Sequence, residues 1–283
     1  MSRTPVSTAS LRAVGYVARR REVLAVTAAL VAPAGHGARA LLLTGPPGCG
    51  KSALADAVTQ VTGAHLVAYQ CHAWTDADDL FVGVDVAAAV AGDSAAVRQP
   101  GVLLRVAELA EVGPVVLLID EIDKTSERAE ALLLDWLQTG RVPVRPGEQV
   151  MTDLSRVLVI LTSNGQRTLG DALMRRLRRV AMEPLPLAVT ERLLHERSGA
   201  PMGIVRLTWR AARMVAEAEG NYALSPQEGI RLLAELTLCE DINDVRESLA
   251  GWAARTVAGR VEAMSLGLAS AVWSEVKRNR ETT

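Results

Sequence analysis

At 283 residues the chain is long enough for about two domains. With 49% hydrophobic and 22% charged residues it matches the globular average, which excludes a mainly disordered, fibrous or disulfide-stapled chain. Thirty-one basic residues against 32 acidic give a net charge of −1, so no overall electrostatic pull draws it toward nucleic acid or anionic membrane.

Residues 1–10 are Ser/Thr-rich and read as a flexible arm. Leu11 to Leu30 has the apolar spacing of an amphipathic helix, ended by Pro33, Gly35 and Gly37. Arg19-Arg20-Arg21 ahead of the apolar run Val23 to Ala34 imitates an export signal, but Glu22 at the junction and the late start of the run argue against it. No stretch reaches the ~18 apolar residues of a membrane span, and the chain is expected in the cytoplasm.

Ala40 to Thr44, His65 to Tyr69, Val115 to Ile119 and Val157 to Leu161 are short apolar runs of the kind buried on both faces of a parallel sheet. Helical segments fall between them at Ser52 to Val61, Leu103 to Glu111 and Glu127 to Leu137, so the core reads as βαβ units. Two stretches break the rhythm. Asp79 to Pro100 reads as a helix with an inserted loop or hairpin, and Arg141 to Asp153 as a hairpin. After Pro184 and Pro186 the strands stop, and Val189 to His195, Thr208 to Glu219, Pro226 to Leu238 and Asn243 to Met264 read as helices. Ser225-Pro226 with Glu228 marks a helix start. The expected organisation is an arm at 1–10, an α/β domain at 11–186 and a helical domain at 187–283.

Gly45-Pro46-Pro47-Gly48-Cys49-Gly50-Lys51-Ser52 follows one predicted strand and leads into a helical run from Ala53, the setting a phosphate-binding P-loop requires. Glycines there let backbone N–H groups converge, and the helix N-terminus adds a positive dipole. Lys51 is suited to the β and γ phosphates and Ser52 to Mg²⁺. Lys51, Lys124 and Lys277 are the only lysines among the 31 basic residues, which makes a chance match less plausible. Asp120 and Glu121 stand at the end of the strand from Val115, where open α/β sheets bind ligands. Asp120 suits Mg²⁺ and Glu121 suits a general base, although acids also end strands simply at solvent. Asp123 and Lys124 read as surface or intersubunit residues.

Cys49, Cys71 and Cys239 form no close pair and no metal-ligand spacing, the pattern of free thiols in a reducing compartment. His36, His65, His72 and His195 form no ligand constellation. Cys71, His72 and Trp74 are expected to pack, and Trp136, Trp209, Trp252 and Trp273 to lie in the core or between subunits.

Lys51, Asp120 and Glu121, with the strand end Leu161-Thr162-Ser163-Asn164 and an Arg-rich helix end at Asp171 to Arg179, resemble an AAA+ ATPase. The resemblance implies a P-loop NTPase parallel sheet sandwiched by helices and followed by a small all-α lid. Thr75 to Leu80, Gln99 to Leu104, Asp120 to Asp123 with Ala129 to Leu137, and Asp171 to Arg176 look like the MoxR-like branch, near the CbbQ/NorQ and dynein-related groups. By that resemblance Asn164 is a sensor orienting water at the γ-phosphate. Arg176 or Arg175 is an arginine finger for the neighbouring subunit. Read from the residues alone, Asn164 also suits a strand-ending turn and the arginines a solvated helix face. Gly15-Tyr16-Val17 falls where the family surrounds the adenine, and Tyr16 equally suits core packing. The lid departs from the family: Gln227 follows Ser225-Pro226 where a sensor arginine is usual, leaving Arg231, Arg206 or Arg210 as substitutes.

The resemblance implies ATP and Mg²⁺ as cofactors and a homo-oligomeric, hexameric ring. It further implies a protein client or adaptor, such as a von Willebrand factor A domain protein, and a chaperone-like remodelling role. The alternative is a motor or loader acting on nucleic acid, against which stand the near-neutral charge, the scarce lysine and the single phenylalanine. A third reading is a switch whose nucleotide state, not its turnover, carries function.

Overall fold

The computed structural model describes residues 6–32, 37–75, 77–84, 90, 98–145, 147–220, 224–265 and 267–282. The expected helix end at Pro33 and Gly35 lies outside them, as do His36, Pro146 and most of the stretch between 85 and 97. Two compact units emerge, one of Met1–Gly45 and Gly50–Met182, the other of Pro46–Cys49 and Glu183–Thr283.

The first unit opens with α1 (Thr8–Ala13) and α2 (Arg20–Val31). The expected arm is therefore helical from Thr8, where the Ser7 hydroxyl accepts from the Ser10 N–H at 3.0 Å. The single helix expected over Leu11 to Leu30 is two. Gly15 at φ +82° turns the chain, and the Glu22 carboxylate restarts it by accepting the Arg19 N–H at 2.9 Å. In α2, Ala25, Val26 and Ala29 are buried, so residues 23–31 of the apolar run lie in a helix packed on the core.

Next come β1 (Arg39–Thr44), α3 (Lys51–Thr62), β2 (His65–Gln70), α4 (Ala77–Leu80), β3 (Val82–Val84), β4 (Arg98–Pro100), α5 (Val102–Val112) and β5 (Val115–Asp120). They are followed by α6 (Glu127–Thr139), β6 (Arg141–Arg145), β7 (Glu148–Met151), β8 (Val157–Ser163), α7 (Asp171–Met174) and β9 (Arg178–Ala181). The main sheet has the order β2-β5-β8-β1-β9 with every pair parallel. β3 and β4 pair antiparallel, as do β6 and β7, which places hairpin pairings in both stretches that break the βαβ rhythm.

Both faces of the central strands β1, β5 and β8 are buried, whereas β2, expected to be buried as they are, stands at the sheet edge with only Val67 buried. Leu42, Leu117, Ile119, Val159 and Leu161 pack with Leu103, Val106, Leu133 and Trp136. The intervening Leu41, Leu43, Val116, Leu118, Leu158 and Ile160 are buried as well, and α2 and α3 lie against these strands. Ser126 caps α6 by accepting the Ala129 N–H at 3.1 Å, and Gly140 ends it at φ +71°.

The strand β9 stands where an Arg-rich helix end was expected. The helix α7 stops at Met174, and Arg178 and Arg179 extend along β1 opposite Leu41 and Leu42. Only Val180 of the four residues is buried, so an edge strand of this kind shows no apolar alternation.

The second unit continues with α8 (Leu187–Ser198), α9 (Met202–Ala218), α10 (Pro226–Leu236), α11 (Ile242–Ala253), α12 (Val257–Ser265) and α13 (Gly267–Thr282). The expected start of α10 is present, with the Ser225 hydroxyl accepting the Glu228 N–H at 3.2 Å and the Glu228 carboxylate accepting the Ser225 N–H at 2.7 Å. The helix expected from Asn243 to Met264 is divided at Ala254–Thr256. There the Glu219 carboxylate accepts the N–H groups of Arg255 and Thr256 at 2.8 and 2.7 Å. Trp209 lies in this unit's core with Val205, Leu232, Leu236 and Leu249, and Trp252 and Trp273 pack against it. Among the described residues no helix is long and apolar enough to cross a membrane.

Candidate functional site

The loop after β1 has its glycines in the left-handed region where it must curl, Gly48 at φ +74° and Gly50 at φ +94°. A side chain at either position would be strained, which accounts for the glycine-rich spacing. Gly50 is also the residue before α3, so the loop ends on a helix N-terminus. Lys51 is buried, and its ammonium donates to the Gly45 carbonyl at 2.7 Å. Tyr16, on the segment between α1 and α2, lies against Gly50, where a Cβ would come within 3.4 Å of its ring. Its hydroxyl donates to Glu22 at 3.3 Å. The structure thus brings Tyr16 to the phosphate loop, with Val17 half-buried beside it in the chain.

The acids enter from β5. The Ser52 hydroxyl donates to Asp120 Oδ2 at 2.7 Å, joining the start of α3 to the end of β5. Thr162, fully buried on β8, donates its hydroxyl to Asp120 Oδ1 and accepts the Glu121 N–H at 2.9 Å. Glu121 follows at φ +56°, the one non-glycine residue with positive φ among the described residues. Such a conformation costs about 1–3 kcal/mol and aims the side chain away from the strand direction.

Around the Glu121 carboxylate three side chains converge. Lys124 Nζ donates to Oε2 at 2.7 Å, Gln70 Nε2 donates to the same oxygen at 3.2 Å, and Asn164 Nδ2 donates to Oε1 at 2.8 Å. Lys124, foremost, holds the carboxyl below its ordinary range with Gln70 and Asn164, against the opposing effect of burial; Glu121 in turn raises the Lys124 ammonium.

Lys124 is therefore no plain surface residue, and neither is Asp123. Asp123 is buried, and its Oδ2 accepts the Gln166 N–H at 2.8 Å, tying the turn after β5 to the loop after β8. Cys71 is buried near the same acids, and burial pushes its thiol up to about 12. His72 and Trp74 depart from the packing expectation: both are exposed, Trp74 to 88%, on the turn closed by the Thr75 N–H to His72 carbonyl bond.

Arg175 and Arg176 are both exposed at the end of α7. Arg176 Nη1 donates to the Ala172 carbonyl at 2.8 Å, and its guanidinium is faced by the Gln138 side-chain amide. It is thus held on α6 and α7 and not on the carboxylates of Asp120 or Glu121. In the second unit Gln227 is exposed and Arg206 pairs with Glu191 at 3.5 Å.

Gln70 and Thr162 were not singled out by sequence. The parallel register sets Gln70 directly opposite Asp120, and Thr162 follows Leu161, the partner of Ile119. A polar residue in an otherwise apolar buried run was the available signal for Thr162.

The oxygens of Ser52 and Asp120 are hard donors already adjacent, and the Lys51 ammonium stands at the head of the helix, so the residues fit a magnesium-bound polyphosphate. Among the described residues no group of three or more His, Cys, Asp or Glu could hold a metal by itself. A cation here would draw its remaining ligands from phosphate and water.

Residues 40–179 match the family model of the AAA domain, dynein-related subfamily. No curated protein matches the chain. Among solved structures, a mutant RuvB of Thermotoga maritima is similar at 16% identity and a TM-score of 0.48, over 87% of this chain and 67% of that one. The phosphate loop, both acids, Thr162, Asn164 and the two arginines all fall inside the segment that is similar to this AAA domain family.

Proposed function

We propose that the chain is a Mg²⁺-dependent ATPase that assembles into a ring, hexameric by family resemblance, and remodels a partner protein as MoxR-like proteins do. The observation that carries the catalytic part is the Ser52 to Asp120 hydrogen bond, because it joins the phosphate loop to the acidic strand end in one site. In this reading Lys51 and the loop N–H groups hold the β and γ phosphates. Ser52 and Asp120 hold Mg²⁺, which when bound draws off phosphate charge. Glu121 takes a proton from a water as its oxygen bonds to the γ phosphorus and the bond to the bridging oxygen breaks, releasing ADP and phosphate. Asn164, already on Glu121, positions that water. Tyr16 and Val17 border the nucleotide, and the helical second unit serves as lid.

Arg176, or Arg175, completes the site of a neighbouring copy. Its exposure at the end of α7, together with its hydrogen bond to Ala172, supports a role outside its own chain's acids. Such a residue spreads positive charge over the transition-state oxygens. In the ring reading the client is a protein, reached directly or through a von Willebrand factor A domain adaptor, in the cytoplasm.

The test is ATP turnover against protein concentration, with mass photometry on the same samples, for wild type, Glu121→Gln and Arg176→Ala. Turnover that rises with ring formation and is lost in both variants supports the reading. Full activity as a monomer would overturn the ring. DNA-stimulated turnover that weakens with salt would overturn the protein client in favour of nucleic acid.

A further inference from the structure

Both oxygens of the Glu121 carboxylate are engaged: its Oε1 accepts from Asn164, and its Oε2 from both Lys124 and Gln70. Two of these donors are neutral amides, which leave the carboxylate's charge available to a water. The third is an ammonium at 2.7 Å, which cancels that charge and occupies the oxygen from the near side. The pair is built into the backbone. Ile122–Lys124 form a single 3-10 turn, the Lys124 N–H donates to the Glu121 carbonyl at 2.9 Å, and the left-handed Glu121 turns its side chain back over that turn. Yet it is not sealed in, since the side chains of Lys124 and Glu121 remain 34% and 20% exposed. An ion pair with that much solvent contact is weak enough to be exchanged when a competing anion arrives.

We propose that Lys124 is a positioning residue that restrains Glu121 in the resting molecule and still holds it for part of the time once the polyphosphate of a nucleotide, a stronger anion, competes for the ammonium. This rests on the reading of Glu121 as the general base. Only three lysines occur in this arginine-rich chain, and two of them, Lys51 and Lys124, stand in the one site. A compact ammonium on a flexible stem swings between partners more readily than a planar guanidinium, which grips a carboxylate in a fixed fork. In the released state Glu121 keeps Asn164 and Gln70, so its direction is preserved while its charge becomes usable.

The experiment is steady-state ATP hydrolysis by the full chain, at one protein concentration and saturating Mg²⁺, for wild type and four variants: Lys124→Met, Lys124→Arg, Glu121→Gln and the double variant Glu121→Gln/Lys124→Met. Removing a clamp that still forms for part of the time with nucleotide bound should raise kcat by about two- to five-fold, the range expected of a partly exposed pair, with KM changed by less than about twofold. The arginine variant should stay at or below wild-type kcat, and both variants lacking Glu121 should be inactive. A Lys124→Met protein with native circular dichroism whose kcat is unchanged or lower overturns the clamp while leaving the base intact. Wild-type turnover in Glu121→Gln overturns the base reading, and the clamp with it. Loss of folding in Lys124→Met would make Lys124→Gln the decisive variant, with the same rise required.

Discussion

Thr162 is the residue on which the two acids depend. Its one hydroxyl donates to Asp120 and accepts the Glu121 N–H, so it fixes the spacing between the proposed metal ligand and the proposed base. Thr162→Val keeps the shape but leaves a half-buried Asp120 carboxylate oxygen and the Glu121 N–H each short of a partner. Such a loss costs about 1–3 kcal/mol, a fall in Tm of roughly 3–10 °C for a unit of this size. ATP turnover should fall at least about tenfold, as when the support of a site ligand is removed. A variant melting several degrees lower but hydrolysing ATP at the wild-type rate would show that the bridge serves folding alone.

At the same scale, the three cysteines are buried free thiols. Burial, reinforced for Cys71 by Asp120, Asp123 and Glu121, pushes Cys71 up to about 12, and burial raises Cys239 as well. Since the thiolate is the nucleophile, Ellman's reagent at pH 8 should find no rapidly reacting thiol until denaturant exposes all three. A fast equivalent in the native protein would mean that one of these sites opens readily. Lys51, Ser52, Asp120 and Glu121 were legible in sequence because the chemistry demands those types at a local spacing. Gln70 and Thr162 were not, because only strand register brings them to Asp120.

Among the elements, strand β9 and the break between α11 and α12 escaped sequence reading because their signal lies elsewhere in the chain, whereas the break between α1 and α2 is marked locally. Strand β9 is defined by its pairing with β1, not by its own two arginines. The break between α1 and α2 turns on Gly15, and the restart on a carboxylate three residues into the next helix. The break between α11 and α12 depends on Glu219, which accepts from Arg255 N–H, Thr256 N–H and the Thr256 hydroxyl from 36 or 37 residues upstream. No local capping residue could announce that. Glu219→Ala should therefore loosen the start of α12 by about 1–2 kcal/mol, the worth of a helix cap. Amide exchange at Arg260, whose N–H donates to the Thr256 carbonyl, should speed about 5- to 30-fold, while exchange in α9 stays unchanged. Equal acceleration in both helices would mean that Glu219 supports the whole unit rather than the junction. By contrast, β1, β5 and β8 were read almost to their ends, because strands buried on both faces need uninterrupted apolar runs.

For the molecule as a whole, the proposed ring makes a quantitative demand that no monomeric ATPase meets. If each site takes Glu121 from one copy and the arginine from the next, then Glu121→Gln retains an intact arginine and Arg176→Ala retains an intact base. Each variant alone lacks half of every site. Mixed in equal amounts under conditions that let subunits exchange, a site is complete when an Arg176→Ala copy is followed by a Glu121→Gln copy. With random neighbours that holds for about one quarter of sites, so the mixture should recover roughly a quarter of wild-type turnover per subunit. Recovery should disappear on dilution below the concentration at which mass photometry detects rings. A mixture that hydrolyses ATP only at the mean of its two components would place the arginine and Glu121 in the same copy's site or remove Arg176 from the chemistry. Repeating the mixture with Arg175→Ala then separates those outcomes, since recovery with Arg175→Ala but not with Arg176→Ala assigns the finger to Arg175, which shares the exposed end of α7.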